Sequence, residues 1–331
     1  MQENQGPGFG PHQPAPPAYP YPYLPPQPPS WFLPTPSGAR YDQLARTSGA
    51  RLWRQVVGTL IVAAGFLTVG VVVVVVGAVI AGLAGIPMQP GASAQIFGDP
   101  VFAMVVLLLS IALVLPLVFG TAALVQQRRP GTLSSVAGRL RWSWLAQCAG
   151  VAVLALALGQ GAQIAMLAVT GGDVSELFGW AGWEALLPAL AVIVLLVPFQ
   201  AAAEEYVFRG WLLQAFGAHL RNPVWGILIG SAVFASLHGY TWVGLIDVFS
   251  FGALMGWLAI RTGGLEAPIA LHVVNNAVAF GLSAAAGKLE EALEQGDVPW
   301  QSLAGTVVQL SVFAVGVLYL ARKRSIATVS A

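Results

Sequence analysis

The sequence carries little charge for its length. Lysine, arginine, aspartate and glutamate make up 9% of the 331 residues, whereas soluble domains carry about 25% charged residues. Hydrophobic residues make up 56%, so too little polar surface exists to cover a water-soluble globule. The net charge of +1 argues against the broad basic surface of a nucleic-acid-binding protein. The composition therefore predicts a membrane protein with no nucleic-acid partner.

Cysteine is nearly absent as well. Cys148 is the single cysteine in the sequence, which excludes an intramolecular disulfide framework and a cysteine-rich metal site. The first residues lack the positively charged start and short apolar run of a secretory signal peptide. We therefore expect a protein that folds without disulfides and has no cleaved leader.

Proline is concentrated at the start of the chain. Of the 23 prolines, 13 lie between Pro7 and Pro36, interleaved with aromatic residues. Repeated proline favours an extended polyproline II chain and cannot build a packed core. We expect residues 1–50 to form a disordered cytoplasmic tail. The tail is either a docking segment for a proline-recognising partner or a solvated extension.

Beyond the tail, apolar runs long enough to span lipid alternate with short polar connections. A spanning segment needs about 20 apolar residues, and it must be helical because lipid offers no partner for open backbone groups. The expected fold class is all-α, a polytopic membrane helix bundle with about eight transmembrane helices. The fourth helix is expected to continue toward Leu220. The predicted spans are 56–84, 101–125, 144–170, 184–208, 224–239, 242–260, 267–285 and 302–321.

Basic residues distinguish the two sides of this bundle. With eight spans, all basic residues except Arg209 and Lys288 fall on one side, and the opposite loops are acidic. The positive-inside rule then places both termini in the cytoplasm. Arginine greatly outnumbers lysine, and alanine, glycine and valine are abundant, which is typical of a GC-rich bacterial genome. We expect a multi-pass protein of a bacterial cell membrane; the alternative is a protein of the endoplasmic reticulum.

The most informative polar residues lie in the fourth span. Glu204 and Glu205 are adjacent carboxylates in an apolar run, and Arg209 follows them. A charged residue inside a spanning helix costs about 2.5–3.5 kcal/mol on insertion scales and is usually functional. Glu205 and Arg209 are four residues apart and share a helix face, where they can pair. Glu204 points about 100° away, as suits a general base; the alternative is a charge cluster that only packs helices.

Two further polar pairs occur at helical spacing. Phe234 and His238 are four residues apart in the fifth span, and His272 and Asn276 are four residues apart in the seventh. A lone intramembrane histidine is as often an interhelical hydrogen-bond donor as a catalyst. A functional site is favoured over a purely structural contact, because neighbouring spans contain two histidines, an asparagine and an acidic pair.

Helix rise gives a partial test of this site. Glu204 and His238 each lie 17 residues from the turn at Arg221, which places both about 25 Å from that turn. His272 lies only about 16 Å from the turn at Arg261. Helix tilt, an inward-dipping turn or a broken helix must make up the difference of about 9 Å.

Three ordered motifs resemble those of the CAAX protease and bacteriocin-processing (CPBP) family of intramembrane peptidases. The family includes the type II CAAX prenyl endopeptidases. The resemblance covers about residues 184–285, and no motif position is missing. The motifs are Glu204-Glu205-x-x-x-Arg209, Phe234-x-x-x-His238 and His272-x-x-x-Asn276.

The resemblance implies hydrolysis of a peptide bond in a membrane-associated or lipid-modified protein or peptide. In this interpretation Glu204, with His238, activates a water molecule that attacks the scissile carbonyl. His272 and Asn276 donate hydrogen bonds to the developing oxyanion. Membrane lipid and a protein or peptide substrate are the implied partners.

The same resemblance leaves the metal question open. Glu204, His238 and His272 are the residues that would hold zinc, with a fourth position left for water. A metal-free site without any cofactor is favoured, because the sequence lacks a His-Glu-x-x-His motif. Glu205 and Arg209 are expected to support the site by fixing the local charge.

A non-catalytic membrane scaffold or a transporter is the rival hypothesis. A transporter is expected to show two pseudo-repeated halves, whereas the polar residues cluster in the second half of this chain.

Asp247 is either structural or functional, as a partner of a histidine or of Arg209. Gly252 and Gly256 match a helix-packing motif.

The expected division of the chain is a tail (1–50), a three-helix region (51–183), a catalytic core (184–285), and an outer loop, last helix and basic C-terminus (286–331).

Overall fold

The computed structural model describes residues 30–89, 96–172, 174 and 179–331. Within these ranges the regular structure is helical, with no β-strand beyond isolated bridges. The predicted all-α fold class is confirmed. The helices are α1 Leu52–Ala84, α2 Pro100–Ala112, α3 Val114–Leu124, α4 Trp142–Val169, α5 Trp183–Glu205, α6 Leu213–Gly217, α7 Val224–Ser236, α8 Trp242–Thr262, α9 Glu266–Ala285, α10 Leu289–Glu294 and α11 Ser302–Lys323.

Seven helical stretches in the described residues are long and apolar enough to cross a membrane. The chain is therefore a multi-pass membrane protein, as predicted. The stretches correspond to seven of the eight predicted spans, and α2 and α3 together form one of them. They are Leu52–Ala84, Pro100–Leu124, Trp142–Val169, Trp183–Gly217, Trp242–Thr262, Glu266–Ala285 and Ser302–Lys323.

The fifth predicted span, 224–239, is shorter than expected. Helix α7 has 13 residues and is about 20 Å long, whereas a hydrocarbon core is about 30 Å thick. The chain turns after Ser236, and the Gly239 N–H donates to the Gln295 side chain at 2.7 Å. The polar end of this apolar run therefore forms a turn instead of a last helical turn within lipid.

The fourth span continues well past residue 208, as predicted, but it is not a uniform α-helix. A π-helix, Tyr206–Leu212, lies between α5 and α6 and directly follows the two glutamates. Its wider backbone pattern is rare and occurs often at functional sites. The π-helix changes the direction in which Arg209 projects relative to a regular helix.

Helices α5 and α9 pack against each other at the centre of the fold. Helix α2 covers α5, helix α4 covers α9, and α11 packs on α4. Glycines allow the last contact to be close, since a Cβ added at Gly159 would lie 2.9 Å from the Gly305 carbonyl oxygen. Helix α1 exposes large apolar side chains such as Leu67 and Val71, as expected of a surface that faces lipid.

The segment 36–46, here called the strap, pairs with the C-terminal end of the chain. Gly38 N–H donates to the Ser330 carbonyl at 3.0 Å, and Ser330 N–H donates to the Ala39 carbonyl at 2.9 Å. This pairing places the two ends of the helix bundle on the same face.

Side chains of the strap also anchor it to the helices. The Tyr41 hydroxyl donates to the Leu133 carbonyl, and burial raises the pKa of Tyr41 well above its usual value, so the donor proton is retained. Arg46 donates to the Gly217 and Leu220 carbonyls, both at 2.7 Å. A cation at the carbonyl end of a helix is stabilising because of the helix dipole. The strap thus covers the end of α6.

The predicted tail of residues 1–50 is too long. Residues 1–29 lie outside the described residues, whereas residues 39–45 pack among the helices. Tyr41 and Leu44 are fully buried. The physical reason is that this part of the segment has apolar side chains to bury and few prolines.

The turn between α8 and α9 is covered by the connection between α3 and α4. Val136 N–H donates to the Gly263 carbonyl at 2.8 Å, and Leu265 N–H donates to the Ser134 carbonyl at 2.9 Å. Leu265 is fully buried. The turn therefore lies inside the protein and not at its surface.

This buried turn explains how His272 reaches the level of Glu204. A Cβ added at Gly210 would lie 3.4 Å from Leu265, so the turn lies at the level of Gly210. Gly210 precedes Gly217, the last residue of α6, by seven residues, or about 10 Å of helix rise. An inward-dipping turn, one of the three explanations considered, is therefore present.

Candidate active site

A buried acidic pair lies at the end of α5. Glu205 is fully buried, and its Oε1 accepts from Arg209 Nη1 at 2.9 Å and from His272 Nδ1 at 2.7 Å. The ion pair predicted from the four-residue spacing is therefore present. Glu204 is 9% exposed and is not bonded to the arginine. The two adjacent carboxylates thus have different surroundings.

His272 lies between the two carboxylates. Its Nε2 is 3.2 Å from Glu204 Oε2, while its Nδ1 is bonded to Glu205. The imidazole can donate to both carboxylates only when both nitrogens carry protons. In that state the charges of Glu204, Glu205, Arg209 and His272 sum to zero. Charge balance of this kind lowers the cost of burying ionised groups.

Arg209 is held beneath an aromatic ring. Its guanidinium carbon lies 4.3 Å from the centroid of the Phe234 ring, a cation–π contact. A Cβ added at Gly252 would lie 2.9 Å from Arg209 Nη2 and 3.2 Å from Ser231. Gly252 therefore provides room for the arginine. Gly256, the other glycine of the packing motif, has its nearest neighbour, Ile227, at an ordinary 3.4 Å.

His238 lies just beyond the end of α7. Its Nδ1 is 2.8 Å from the Phe234 carbonyl oxygen, and Nδ1 must be the donor because a carbonyl only accepts. In the neutral ring, Nε2 is then free to accept a proton. The ring packs edge-to-face on Phe234 at 4.7 Å and stacks nearly parallel to Tyr240 at 6.2 Å. His238 lies within electrostatic range of Glu204.

Asn276 reaches the acidic pair through a glutamine that the sequence interpretation missed. Asn276 Nδ2 donates to Gln200 Oε1 at 3.1 Å, and Gln200 in turn interacts with Glu204. Gln200 is buried and lies one helical turn before Glu204. That four-residue spacing is the only feature of the sequence that pointed to it. Asn275 faces elsewhere and accepts from Gln309 Nε2 at 3.1 Å.

Asp247 is not part of this cluster. Its Oδ1 accepts from Thr306 Oγ1 at 2.8 Å, which links α8 to α11. The structure therefore pairs Asp247 with a threonine, and neither with a histidine nor with Arg209.

A second buried ion pair fixes the start of α9, and the sequence interpretation missed it. Arg141 donates to Glu266 from the backbone N (2.9 Å), Nε (2.8 Å) and Nη2 (2.7 Å). The same Nη2 donates to the Thr262 carbonyl at 2.9 Å. Glu266 is fully buried and lies six residues before His272. Because the partners are 125 residues apart, no local spacing reveals the pair.

The three residues considered as zinc ligands do not form a metal site. Among the described residues, no three His, Cys, Asp or Glu side chains are placed to hold a metal ion. His272 directs both ring nitrogens at carboxylates, and His238 uses Nδ1 for a carbonyl. The His238 bond to a carbonyl leaves its Nε2 free, whereas His272 Nε2 is directed at Glu204 Oε2, 3.2 Å away.

Comparison with known proteins matches the same part of the chain. Residues 184–278 match the family model described as Type II CAAX prenyl endopeptidase Rce1-like. The segment is similar to that family. The resemblance predicted from the three motifs is therefore confirmed over this range, here called the Rce1-like segment. All six predicted site residues lie within it.

A bacterial relative shares a stretch of the same length. "Uncharacterized protein YyaK" of Bacillus subtilis (strain 168) is 40% identical over 95 residues, which are 26% of this chain and 31% of that protein. The chain thus spans less than a third of the length of the curated relative it matches. No solved structure matches the chain significantly.

Proposed function

We propose that this membrane protein is an intramembrane endopeptidase that hydrolyses a peptide bond of a membrane-associated or lipid-modified protein or peptide. One observation carries the proposal. In the Rce1-like segment, Glu204 is the carboxylate that Arg209 does not neutralise, and it faces His272 at 3.2 Å. Similarity to a protease family supports peptide-bond hydrolysis as the reaction.

Glu204 is proposed as the general base that activates the attacking water. Glu205 is less suited because its Oε1 already accepts two charge-assisted hydrogen bonds and it is fully buried. His238 is proposed to hold the same water through Nε2, which its bond to the Phe234 carbonyl leaves free. The water donates its proton to Glu204 as its oxygen bonds to the scissile carbonyl carbon and the carbonyl oxygen becomes an oxyanion. Glu204 then returns the proton to the amide nitrogen as the C–N bond breaks.

His272 and Asn276 are proposed to stabilise the oxyanion. His272 Nε2–H is directed toward Glu204, the proposed base. Asn276 has a second N–H besides the one that is bonded to Gln200. Losing one such donor typically costs about 2.7–4 kcal/mol of transition-state stabilisation. Glu205 and Arg209 position His272 and balance the buried charge. No step of this mechanism requires a metal ion.

Cellular location and orientation are part of the proposal. We infer a bacterial cell membrane, with both ends of the chain in the cytoplasm and residues 184–285 as the catalytic core. The concentration of arginine on one side supports this orientation through the positive-inside rule. The pairing of Gly38 with Ser330 supports a shared side for both ends.

Cleavage of a quenched peptide library by the purified, detergent-solubilised chain tests the proposal. Wild type, Glu204→Gln and Glu184→Gln are compared, with and without a metal chelator. Glu184 is an exposed glutamate near the start of the same helix and provides the matched control. We expect wild type and Glu184→Gln to cleave in chelator and Glu204→Gln to lose cleavage by at least about 10³-fold.

Other results argue against this mechanism. Equal cleavage by wild type and Glu204→Gln excludes Glu204 as the base. Loss of wild-type cleavage in chelator favours a zinc enzyme. A wild type that cleaves nothing favours the non-catalytic scaffold or the transporter.

A further inference from the structure

A groove lies where the ends of α8 and α11 meet the strap, apart from the proposed active site. It has a volume of about 460 Å³ and is bounded by the ends of α8 and α11 and by the strap. Three arginines line it, Arg40, Arg261 and Arg322, together with apolar side chains such as Ile260, Leu318 and Ile326. No acidic side chain of the described chain lines this groove, so it combines positive charge with an apolar floor.

Two of the three arginines are free to bind an anion. Arg40 already forms two hydrogen bonds to Asp42, at 3.0 and 2.9 Å. Arg261 and Arg322 are exposed, and neither side chain forms a hydrogen bond or an ion pair within the described part of the chain. Arg261 instead lies 5.7 Å from the centroid of the Trp257 ring. The groove therefore presents two uncompensated guanidinium groups.

Aromatic residues place the groove at the level of lipid headgroups. Trp257 is 38% exposed one turn before Arg261, and Tyr319 is 63% exposed one turn before Arg322. Tryptophan and tyrosine are enriched where the hydrocarbon core meets the headgroups. Exposed Val315 continues the apolar surface along α11, away from the arginines. A ligand here meets cations at one end and an apolar helix surface at the other.

We propose that this groove binds an anionic phospholipid. The phosphodiester lies between Arg261 and Arg322, because guanidinium groups bind phosphate oxygens through paired hydrogen bonds. One acyl chain lies over Ile260 and Leu318. Basic pockets between membrane helices on the cytoplasmic side recognise anionic headgroups in this way. The bound lipid joins α8 to α11, and the proposal does not depend on proteolysis.

Lipid-dependent thermal stability of the full chain in detergent tests this site. The probes are dioleoyl phosphatidylglycerol, dioleoyl phosphatidylcholine with the same acyl chains, and inorganic phosphate. We expect phosphatidylglycerol alone to raise the Tm. The double variant Arg261→Gln/Arg322→Gln should bind it about 30-fold more weakly, since each basic side chain near a membrane surface contributes about 1 kcal/mol of attraction. Native mass spectrometry of retained lipid gives a second readout.

The control is the double variant Arg139→Gln/Arg221→Gln, which removes two exposed arginines assigned to the same side but outside the groove. It should keep the wild-type response. An equal response of both double variants overturns the site. A Tm shift with inorganic phosphate alone shows a general anion site, and a shift with phosphatidylcholine shows binding of any lipid; either result overturns the proposal. The groove variant should fold normally because its two side chains make no hydrogen bond or ion pair, and its Tm without lipid checks this.

Discussion

Glu205 and His272 share a hydrogen bond of 2.7 Å across 67 residues of sequence. The bond joins the end of α5 to the middle of α9, the two helices at the centre of the fold. It also separates the roles of two adjacent glutamates. Glu205 is held by Arg209 and His272, whereas Glu204 has only the 3.2 Å approach of His272 Nε2 and the contact with Gln200.

The two glutamates should therefore respond differently to the same substitution. Glu205→Gln leaves the Arg209 charge buried without its partner, and we expect a loss of about 3–5 kcal/mol in the free energy of unfolding. Glu204→Gln should cost about 1 kcal/mol or less while it abolishes hydrolysis. Denaturant unfolding in detergent measures both, with Glu184→Gln as the exposed control. A larger loss for Glu204→Gln than for Glu205→Gln would reverse the assignment of roles.

The Arg141–Glu266 pair should support the site from a distance. Removing either partner leaves an uncompensated buried charge at the start of α9, so Arg141→Gln and Glu266→Gln should each cost about 3–5 kcal/mol of stability. We also expect kcat to fall more than KM changes, because His272 lies on the helix that this pair fixes. Denaturant unfolding and steady-state kinetics measure the two effects.

A double-mutant cycle separates pairing from local damage. In Arg141→Gln/Glu266→Gln both charges are gone, so the combined loss should be smaller than the sum of the single losses by about 1–3 kcal/mol. Arg139→Gln, next to the pair but exposed, should have no effect. Purely additive losses would show that the two side chains do not act together.

The two glycines of the α8 packing motif should not be equivalent. Gly252→Ala places a methyl group 2.9 Å from Arg209 Nη2, which the ion pair with Glu205 prevents from moving away. We expect a loss of about 1–3 kcal/mol and lower activity. Gly256→Ala meets Ile227 at an ordinary 3.4 Å and should be neutral or slightly stabilising, because alanine favours helix. Thermal unfolding of the two variants tests the difference; similar behaviour would mean that Gly252 only packs helices.

Apolar runs of about 20 residues were sufficient to predict most of the fold. Their positions depend on a physical requirement, that backbone groups in lipid be satisfied within the helix. Helix α7 is the exception. The hydropathy of its sequence does not show that the chain turns at Gly239, where the backbone N–H bonds to the Gln295 side chain. The strap was missed for a similar reason. Its burial depends on Leu133 and Ser330, which lie far away in the sequence.

The site was predictable where its contacts are local. The Glu205–Arg209 pair follows from a four-residue spacing and is present at 2.9 Å. The π-helix was not predictable, because no residue type specifies it. Arg141–Glu266 and Asp247–Thr306 were not predictable either, because each depends on how distant helices come together. The roles of Glu204, His238, His272 and Asn276 stay predictions.

The strap precedes the helices in the sequence, yet its partner Ser330 follows them. Ala39 and Ser330 are 291 residues apart, so α1 through α11 have all been synthesised before the partner of Ala39 exists. At a synthesis rate of about 5–20 residues per second, this delay is about 15–60 s. During that time the insertion machinery can position α5 and α9 before the strap pairs with Ser330. Pairing of the strap with Ser330 thus follows the synthesis of the helices that carry the site.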